Sequence, residues 1–150
     1  MPETNQIDGL LPHQGTMLLI EGIISWSRDD IVCVTRTHLR PDNPLRHGNG
    51  LPAHTSIEYA AQAAGVHGGL LNRELFPDAP AQMGYLAVIS NAEWQVEFLD
   101  SLTDALVINA RRTAVTPGGR AYRVRIEHKG ELIMSGDLVI ALEAAGKDVV

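Results

Sequence analysis

The residue best placed to do chemistry is Glu58, an acid near the start of an apolar stretch covering residues 51–71. Only Glu58 and Gln62 are strongly polar in this run, and their spacing of four residues puts them on one face of a helix. A carboxylic acid whose pKa is raised by burial can donate a proton to a departing group. The alternative is structural, because Thr55-x-x-Glu58 also fits a capping box.

A long helix must position this acid, and the pattern predicts it over residues 56–72. Pro52 ends an extended approach, and Thr55 or Ser56 can serve as the N-cap. The predicted apolar face consists of Ile57, Ala61, Ala64, Gly68 and Leu71. Because the rest of the run is also small or apolar, we expect the helix to be buried nearly all round, with a second subunit completing the cover.

Runs of β-branched and alternating residues predict strands on both sides of this helix. They cover residues 17–26 and 31–39 before it, and 83–99, 102–115, 122–128 and 132–142 after it. Residues 116–119 form a turn signal, and Lys129-Gly130 marks a tight hairpin. The layout is α+β, with an antiparallel β-sheet wrapped around one long central helix.

Length and composition limit the function classes. The 150 residues, 45% hydrophobic and 20% charged, fit one domain spanning residues 1–150. A net charge of −6 argues against nucleic acid as a partner. The single cysteine, Cys33, lies in an apolar run and suits a buried, inert thiol in a reducing compartment. With no apparent signal peptide or membrane span, we expect a cytoplasmic protein without membrane contact.

Several short motifs occur in the order and spacing of a known family. They are Leu11-Pro12-His13, the run from Met17 to Glu21, Leu51-Pro52, and Tyr59-Ala60-Ala61-Gln62-Ala63. Together they resemble the β-hydroxyacyl-(acyl carrier protein) dehydratases of the hot dog fold. The chain looks most like the divergent branch of predicted 3-hydroxyacyl-ACP dehydratases associated with aryl polyene biosynthesis. The resemblance covers residues 10–142.

The resemblance implies a hot dog domain that dehydrates 3-hydroxyacyl thioesters on an acyl carrier protein to trans-2-enoyl thioesters. The reaction would serve fatty acid or polyene and polyketide biosynthesis, without a cofactor or metal. The carrier could also be coenzyme A. The family forms dimers with two tunnels at the interface, so it implies a homodimer or higher oligomer. A hetero-oligomer with another dehydratase is the alternative assembly.

The resemblance also carries over site residues, with one departure. Glu58 matches the catalytic acid of the main dehydratases. Their catalytic histidine, in a His-Phe-Pro stretch fourteen residues earlier, is replaced here by Pro44. A histidine near neutral pKa suits removal of the C2 proton. His13 and His47 are the two candidates for this role, and the resemblance to the divergent branch, in which the Leu-Pro-His near the N-terminus recurs, slightly favours His13.

Three further residues are predicted to contact substrate: Pro52, His54 and Gln62. Gln62 could instead be a buried amide satisfied by backbone. The amide groups at the helix start could hold the thioester oxygen. Of the remaining histidines, His67 should be structural, whereas His38 and His128 should be ordinary strand residues at the surface or core edge.

Two other functions stay open from the sequence. A hot dog thioesterase would use the helix acid to activate water, and a non-catalytic subunit would stabilise a partner dehydratase. The missing His-Phe-Pro motif supports the second alternative. Five arginines cluster late in the chain: Arg111, Arg112, Arg120, Arg123 and Arg125. They could meet an acidic carrier protein or its phosphopantetheine, although a solvated strand face is the favoured interpretation.

Overall fold

One long helix lies against a six-stranded antiparallel sheet in a computed structural model that describes residues 15–78 and 84–142. The helix, α1, spans Ser56–Leu75. The strands are β1 (Gly22–Trp26), β2 (Asp30–Thr35), β3 (Gly84–Trp94), β4 (Leu106–Thr116), β5 (Gly119–His128) and β6 (Glu131–Leu142). Their order in the sheet is β1-β2-β4-β5-β6-β3. The predicted α+β layout is confirmed.

Short connections join neighbouring strands where the turn residues predicted them. β4 ends at Thr116 and β5 begins at Gly119, and these two residues pair across the turn. Lys129 and Gly130 connect β5 to β6 with φ values of 52° and 80°. Two positive φ values in a two-residue loop are typical of a type I′ turn, which matches the twist of the flanking strands. Both predicted turns are confirmed.

The segment before the helix is less extended than predicted. Gly15–Met17 is a 3₁₀ turn, and a second one, Thr37–Leu39, follows β2. The hydroxyls of Thr35 and Thr37 both donate to the carbonyl of Leu19, which bends the chain away from a regular ladder. The strands predicted over 17–26 and 31–39 therefore shrink to 22–26 and 30–35.

His38 is consequently a core residue, and its predicted surface or core-edge strand position is wrong. It lies in the second 3₁₀ turn with no exposed surface, and its Nε2 donates to the carbonyl of Leu102 at 2.8 Å. Burial lowers the pKa of His38. A neutral imidazole in this position helps to attach the turn to the segment before β4.

The helix buries one side against the sheet and leaves the other partly open. Tyr59, Ala63 and Val66 have no exposed surface, whereas Glu58 is exposed. Within a single chain the helix is therefore covered on one side only, and the expected cover of the other side by a second subunit stays a prediction. One sheet can cover only one side of a helix, so the opposite side stays accessible.

The helices within residues 15–78 and 84–142 include none with the length and apolar character required to cross a membrane.

Candidate active site

Backbone hydrogen bonds hold the loop that delivers the chain to α1. The amide of Leu51 donates to a carboxylate oxygen of Asp100 at 2.9 Å, and Ala53 donates to the carbonyl of Glu97. An isolated bridge also pairs Pro52 with Phe98. Because both flanks of Pro52 are attached, the first turn of α1 has a defined position relative to the segment that follows β3.

The helix start does not contain the capping box that the sequence allows. The Thr55 hydroxyl donates to the carbonyl of Pro52 at 2.6 Å and makes no side-chain cap bond. A 3₁₀ turn, Ala53–Thr55, runs directly into α1, so the backbone itself satisfies these amides. The amide of Ser56, for example, donates to the carbonyl of Ala53. The amide of Thr55, the Glu58 partner in a capping box, donates to the carbonyl of Pro52. Glu58 is therefore not a cap, and the amides of Thr55 and Ser56 are not free to hold a thioester oxygen.

A cavity of about 500 Å³ lies between the open side of α1 and strands β3, β4, β5 and β6. Its lining from the helix is Glu58, Ala61, Gln62, Ala64, Gly65, Gly68, Gly69, Leu71, Asn72 and Leu75, followed by Phe76. Its lining from the sheet is Gly84, Tyr85, Leu86, Arg112, Arg120, Tyr122, Ile140 and Leu142. Among these residues Glu58 is the only carboxylate. The cavity has the size and mostly apolar walls of a small-molecule site.

The predicted apolar face of α1 largely faces this cavity. Ala61, Ala64, Gly68 and Leu71 line it, whereas the core face of the helix carries Tyr59 and other buried residues. Small side chains on the cavity side leave room for a ligand beside the helix. Their structural effect is therefore to make space, in addition to allowing close packing.

Gln62 holds the segment that precedes β1. Its Oε1 accepts from the amide of Leu19 at 2.9 Å, and its Nε2 donates to the carbonyl of Met17 at 2.8 Å. The residue is only 3% exposed. These contacts match the alternative in which Gln62 is a buried amide satisfied by backbone. They connect residues 17–19 to α1 one turn after Glu58.

His47, His54 and Pro52 do not lie in the cavity with Glu58. His47 and His54 are exposed and do not line the cavity. Pro52 is half-buried in the approach loop, also outside the lining. His13 lies outside the described residues. In the part of the chain that the structure describes, the cavity therefore contains Glu58 and Gln62 but no histidine.

Tyr122, which lines the cavity, forms a buried hydrogen-bonded pair with His67. The sequence predicted the structural role of His67 but not its partner. The Tyr122 hydroxyl donates to Nδ1 of His67 at 2.7 Å, and Nε2 of His67 donates to the carbonyl of Ser27 at 2.8 Å. The predicted structural role of His67 is consistent with these contacts. Burial raises the pKa of Tyr122 to about 12, and burial lowers that of His67. The sequence signal for this contact was the alternation of residues 122–128, which turns the Tyr122 side chain toward the helix.

Neither a thiol nor a metal adds chemistry within the described residues. Cys33 has no exposed surface, and burial raises its pKa to about 12, as expected of an inert thiol. Residues 15–78 and 84–142 contain no group of three or more His, Cys, Asp or Glu side chains that could hold a metal ion.

A family model and a curated relative both relate the chain to dehydratases. The family model described as "ApeP-like: ApeP dehydratase" matches residues 5–147. A curated relative, the 3-hydroxyacyl-[acyl-carrier-protein] dehydratase FabZ of Xanthomonas oryzae pv. oryzae, is 24% identical over 144 residues, which cover 93% of this chain and 91% of the relative.

Solved structures show the same fold. The dehydratase heterocomplex ApeI:P from Xenorhabdus doucetiae contains a chain with a TM-score of 0.81 and 24% identity, covering 95% of this chain and 91% of that one. A variant of the thioesterase SAV0944 from Staphylococcus aureus has a TM-score of 0.58 and 14% identity, covering 81% and 92%. The predicted hot dog fold is confirmed.

Proposed function

The chain belongs to the ApeP-like dehydratase family, and from this premise we propose that it dehydrates 3-hydroxyacyl chains carried on an acyl carrier protein, with Glu58 as the acid. The prediction of a dehydratase of this family is confirmed. The observation that supports the role of Glu58 is its position as the single carboxylate in the described lining of the cavity beside α1. A carrier-bound substrate is supported by the activity in the name of the FabZ relative.

The reaction needs one proton removed and one delivered. A base takes the proton from C2, and the electron pair of that C–H bond forms the C2–C3 double bond. The C3–O bond breaks as Glu58 gives its proton to the departing hydroxyl, which leaves as water. The products are the trans-2-enoyl thioester, a protonated base and the Glu58 carboxylate. Proton transfer from the base back to Glu58, directly or through water, restores the starting state.

We assign the base to His13, and Gln62 supports this assignment. Its two hydrogen bonds fix the backbone of Met17 and Leu19 one helical turn from Glu58. His13 precedes Met17 by four positions in the chain, and four residues of fully extended chain span at most about 14 Å. His47, the alternative, is exposed and does not line the cavity. In this proposal Gln62 acts by positioning the approach of the N-terminal segment and does not contact substrate.

We further propose that a second subunit of the same fold pairs with this chain along β3. This strand is eleven residues long, pairs with β6 on one side and has no described strand on the other. Tyr85, Val88 and Trp94 are large apolar residues exposed along it. A long, exposed apolar edge strand promotes association unless it is covered. The subunit would be a second copy of this chain, or a second dehydratase as in the ApeI:P heterocomplex.

Light scattering separates these assemblies. A dimer or larger oligomer of the pure chain at micromolar concentration supports self-association. A monomer that becomes a dimer only with another hot dog dehydratase from the same organism supports the heteromer. A monomer under both conditions contradicts pairing along β3.

The second candidate function is a non-catalytic subunit. It is favoured by the absence of a histidine from the described lining of the cavity. In that case the partner would carry out the chemistry, and Glu58 would contribute nothing to turnover.

Mass spectrometry of a 3-hydroxyacyl carrier protein incubated with the pure full-length chain tests these functions. Loss of water from the acyl group supports the dehydratase. Loss of the whole acyl group would assign a thioesterase. An unchanged substrate that loses water only when a partner is added, equally with wild type and with Glu58→Gln, would assign the non-catalytic role.

A further inference from the structure

The five late arginines do not share one face of the sheet, which corrects the interpretation of a single solvated strand face. Arg112 on β4 lies opposite the inward-facing Tyr122 on β5 in the strand register. Arg120 is two residues before Tyr122 on β5, so its side chain is on the same inner face of the sheet. Both line the cavity beside α1. Arg111, Arg123 and Arg125 are exposed on the outer face, where Arg123 pairs with Asp137 and Arg125 pairs with Glu127.

The cavity therefore has a carboxylate toward one end and two guanidinium groups toward the other. Tyr122, which pairs with Arg112, bonds His67. His67 lies nine residues after Glu58 on the helix, which corresponds to about 14 Å along its axis. Arg120 lies farther along β5 toward the β4–β5 turn than Tyr122 does, where it is opposite Ile140 in the strand register.

The two guanidinium groups are only partly satisfied by the protein. Nη1 of Arg120 donates to the carbonyls of Thr116 at 2.6 Å and Gly119 at 2.8 Å, and its other nitrogens have no described acceptor. The half-buried side chain of Arg112 has no hydrogen-bond acceptor or ion-pair partner among the described residues. The positive charge of both residues opposes the upward shift of the Tyr122 pKa, and all three residues line the same cavity. A guanidinium taken partly out of water without an acceptor is costly, so an acceptor is expected to arrive from outside the chain.

The wall between the two ends indicates what brings this acceptor. It is built from Ala61, Ala64, Gly65, Gly68 and Leu86. Such a wall suits a hydrocarbon chain, whereas the amides of a pantetheine arm would meet few polar partners there. The apolar stretch thus fits the acyl part of a substrate whose reacting carbons lie at Glu58.

We propose that Arg112 and Arg120 form a specificity subsite that binds an oxygen acceptor, such as a carboxylate, at the far end of the acyl chain. This inference rests on the proposed function for the orientation of the substrate. It predicts selection for chains that end in a polar oxygen over simple alkyl chains of the same length. Arg112 is the main determinant because it has no described protein partner, whereas Arg120 also holds the β4–β5 turn.

Calorimetric binding of paired ligands tests the subsite without depending on turnover. The ligands are trans-2-enoyl pantetheine thioesters of equal length that end in a carboxylate or in a methyl group. The full-length chain should bind the carboxylate form roughly ten- to a hundredfold more tightly, as for a charge-assisted hydrogen bond. Arg112→Met should remove this preference and leave the Kd of the methyl form nearly unchanged. Arg111→Met, on the outer face, is the matched control and should keep the preference.

Other outcomes overturn the subsite. The subsite is rejected if the wild type binds both ligands with equal Kd. It is also rejected if Arg112→Met raises the Kd of both ligands by the same factor. If phosphopantetheine thioesters bind more tightly whatever the chain end, and Arg112→Met removes that gain, the arginines bind the carrier arm instead. If Arg112→Met dissociates the oligomer in light scattering without changing the Kd ratio, the guanidinium serves subunit contact. A carboxylate preference without any dehydration would keep the subsite and reject only the proposed reaction.

Discussion

Glu58 and His67 are both titratable residues on α1, yet the fold treats them in opposite ways. His67 is fully buried, and both of its ring nitrogens have partners, the Tyr122 hydroxyl and the Ser27 carbonyl. Glu58 is exposed in a cavity, and no described hydrogen bond or ion pair engages it. A satisfied, buried polar group contributes to stability, whereas an unengaged group in a cavity is available to a ligand. The comparison predicts that substitutions at the two sites affect different properties.

Glu58→Gln should produce the largest effect, and it should fall on turnover. Glutamine keeps the size of the side chain but cannot give a proton to the departing hydroxyl. General acid catalysis typically contributes ~10²–10⁴ in rate, and a loss of this size is expected for 3-hydroxyacyl thioester dehydration. The melting temperature should stay within a few degrees, because Glu58 makes no cap bond. A variant that melts far lower and keeps its specific activity would contradict the catalytic role.

His13→Ala should reduce turnover by a similar factor, about 10²–10⁴, if His13 is the base. His47→Ala is the matched control, since His47 is exposed and outside the cavity. Exchange of the C2 proton with deuterated solvent measures the base directly. Loss of exchange in His47→Ala alone would move the base to the loop before the helix, and equal small losses would assign neither residue.

His67→Leu should affect stability and not chemistry. The change leaves the Tyr122 hydroxyl and the Ser27 carbonyl without their partner in the core, a cost of about 2–4 kcal/mol. Urea unfolding measures this loss in the free energy of unfolding. Tyr122→Phe removes only the hydroxyl, so it should cost less, and the double variant should show strong coupling. Normal stability with lost turnover would place His67 in the reaction.

Gln62→Leu should lower the free energy of unfolding by about 1–3 kcal/mol, because the amide of Leu19 and the carbonyl of Met17 lose a buried partner. Hydrogen exchange at residues 17–19 should accelerate. If Gln62 acts through the position of His13, kcat should fall and KM should change little. A rise in KM alone would indicate direct contact with substrate.

The smallest effect concerns pH. Burial lowers the folded pKa of His67 and of His38, whereas an unfolded histidine titrates near pH ~6.5. Below that pH the unfolded chain binds protons that the folded chain does not. The free energy of unfolding should therefore fall on acidification, by up to about 1.4 kcal/mol per pH unit for each histidine.

His67→Gln should flatten this dependence, and His54→Gln, which changes an exposed residue, should not. A slope that is the same in His67→Gln and in the wild type would contradict the assignment of the acid sensitivity to His67.

The outer framework of the fold was predictable because it depends on local signals. Lys129-Gly130 specifies its turn through backbone conformation alone, and the alternation of residues 122–128 specifies which side chains point inward. The 3₁₀ turn at Thr37–Leu39 was missed because its cause is distant in sequence. Two threonine hydroxyls bond the carbonyl of Leu19, and nothing in residues 31–39 reveals that acceptor.

The candidate site divides in the same way. Motif order identified Glu58 and the family, since an acid in an apolar helix is visible in the sequence. The alternation of residues 122–128 indicates that Arg123 and Arg125 point outward, but it could not place Arg112 and Arg120 in one cavity with the acid, because that depends on how the sheet packs against α1. Nor could the sequence separate the helix face that packs on the sheet from the face that lines the cavity, since both consist of small and apolar residues.

The sequence by itself determined the long helix, its acid, the antiparallel strands and the family, because periodicity, turn chemistry and motif spacing are properties of neighbouring residues. Only the tertiary structure decided that Glu58 is not a cap, that Gln62 holds residues 17–19, and that two arginines share the cavity with the acid. The physical reason is that burial and hydrogen-bond partners depend on which distant segments come into contact. The face of α1 that lines the cavity is defined only once the sheet has packed against the opposite face of the helix.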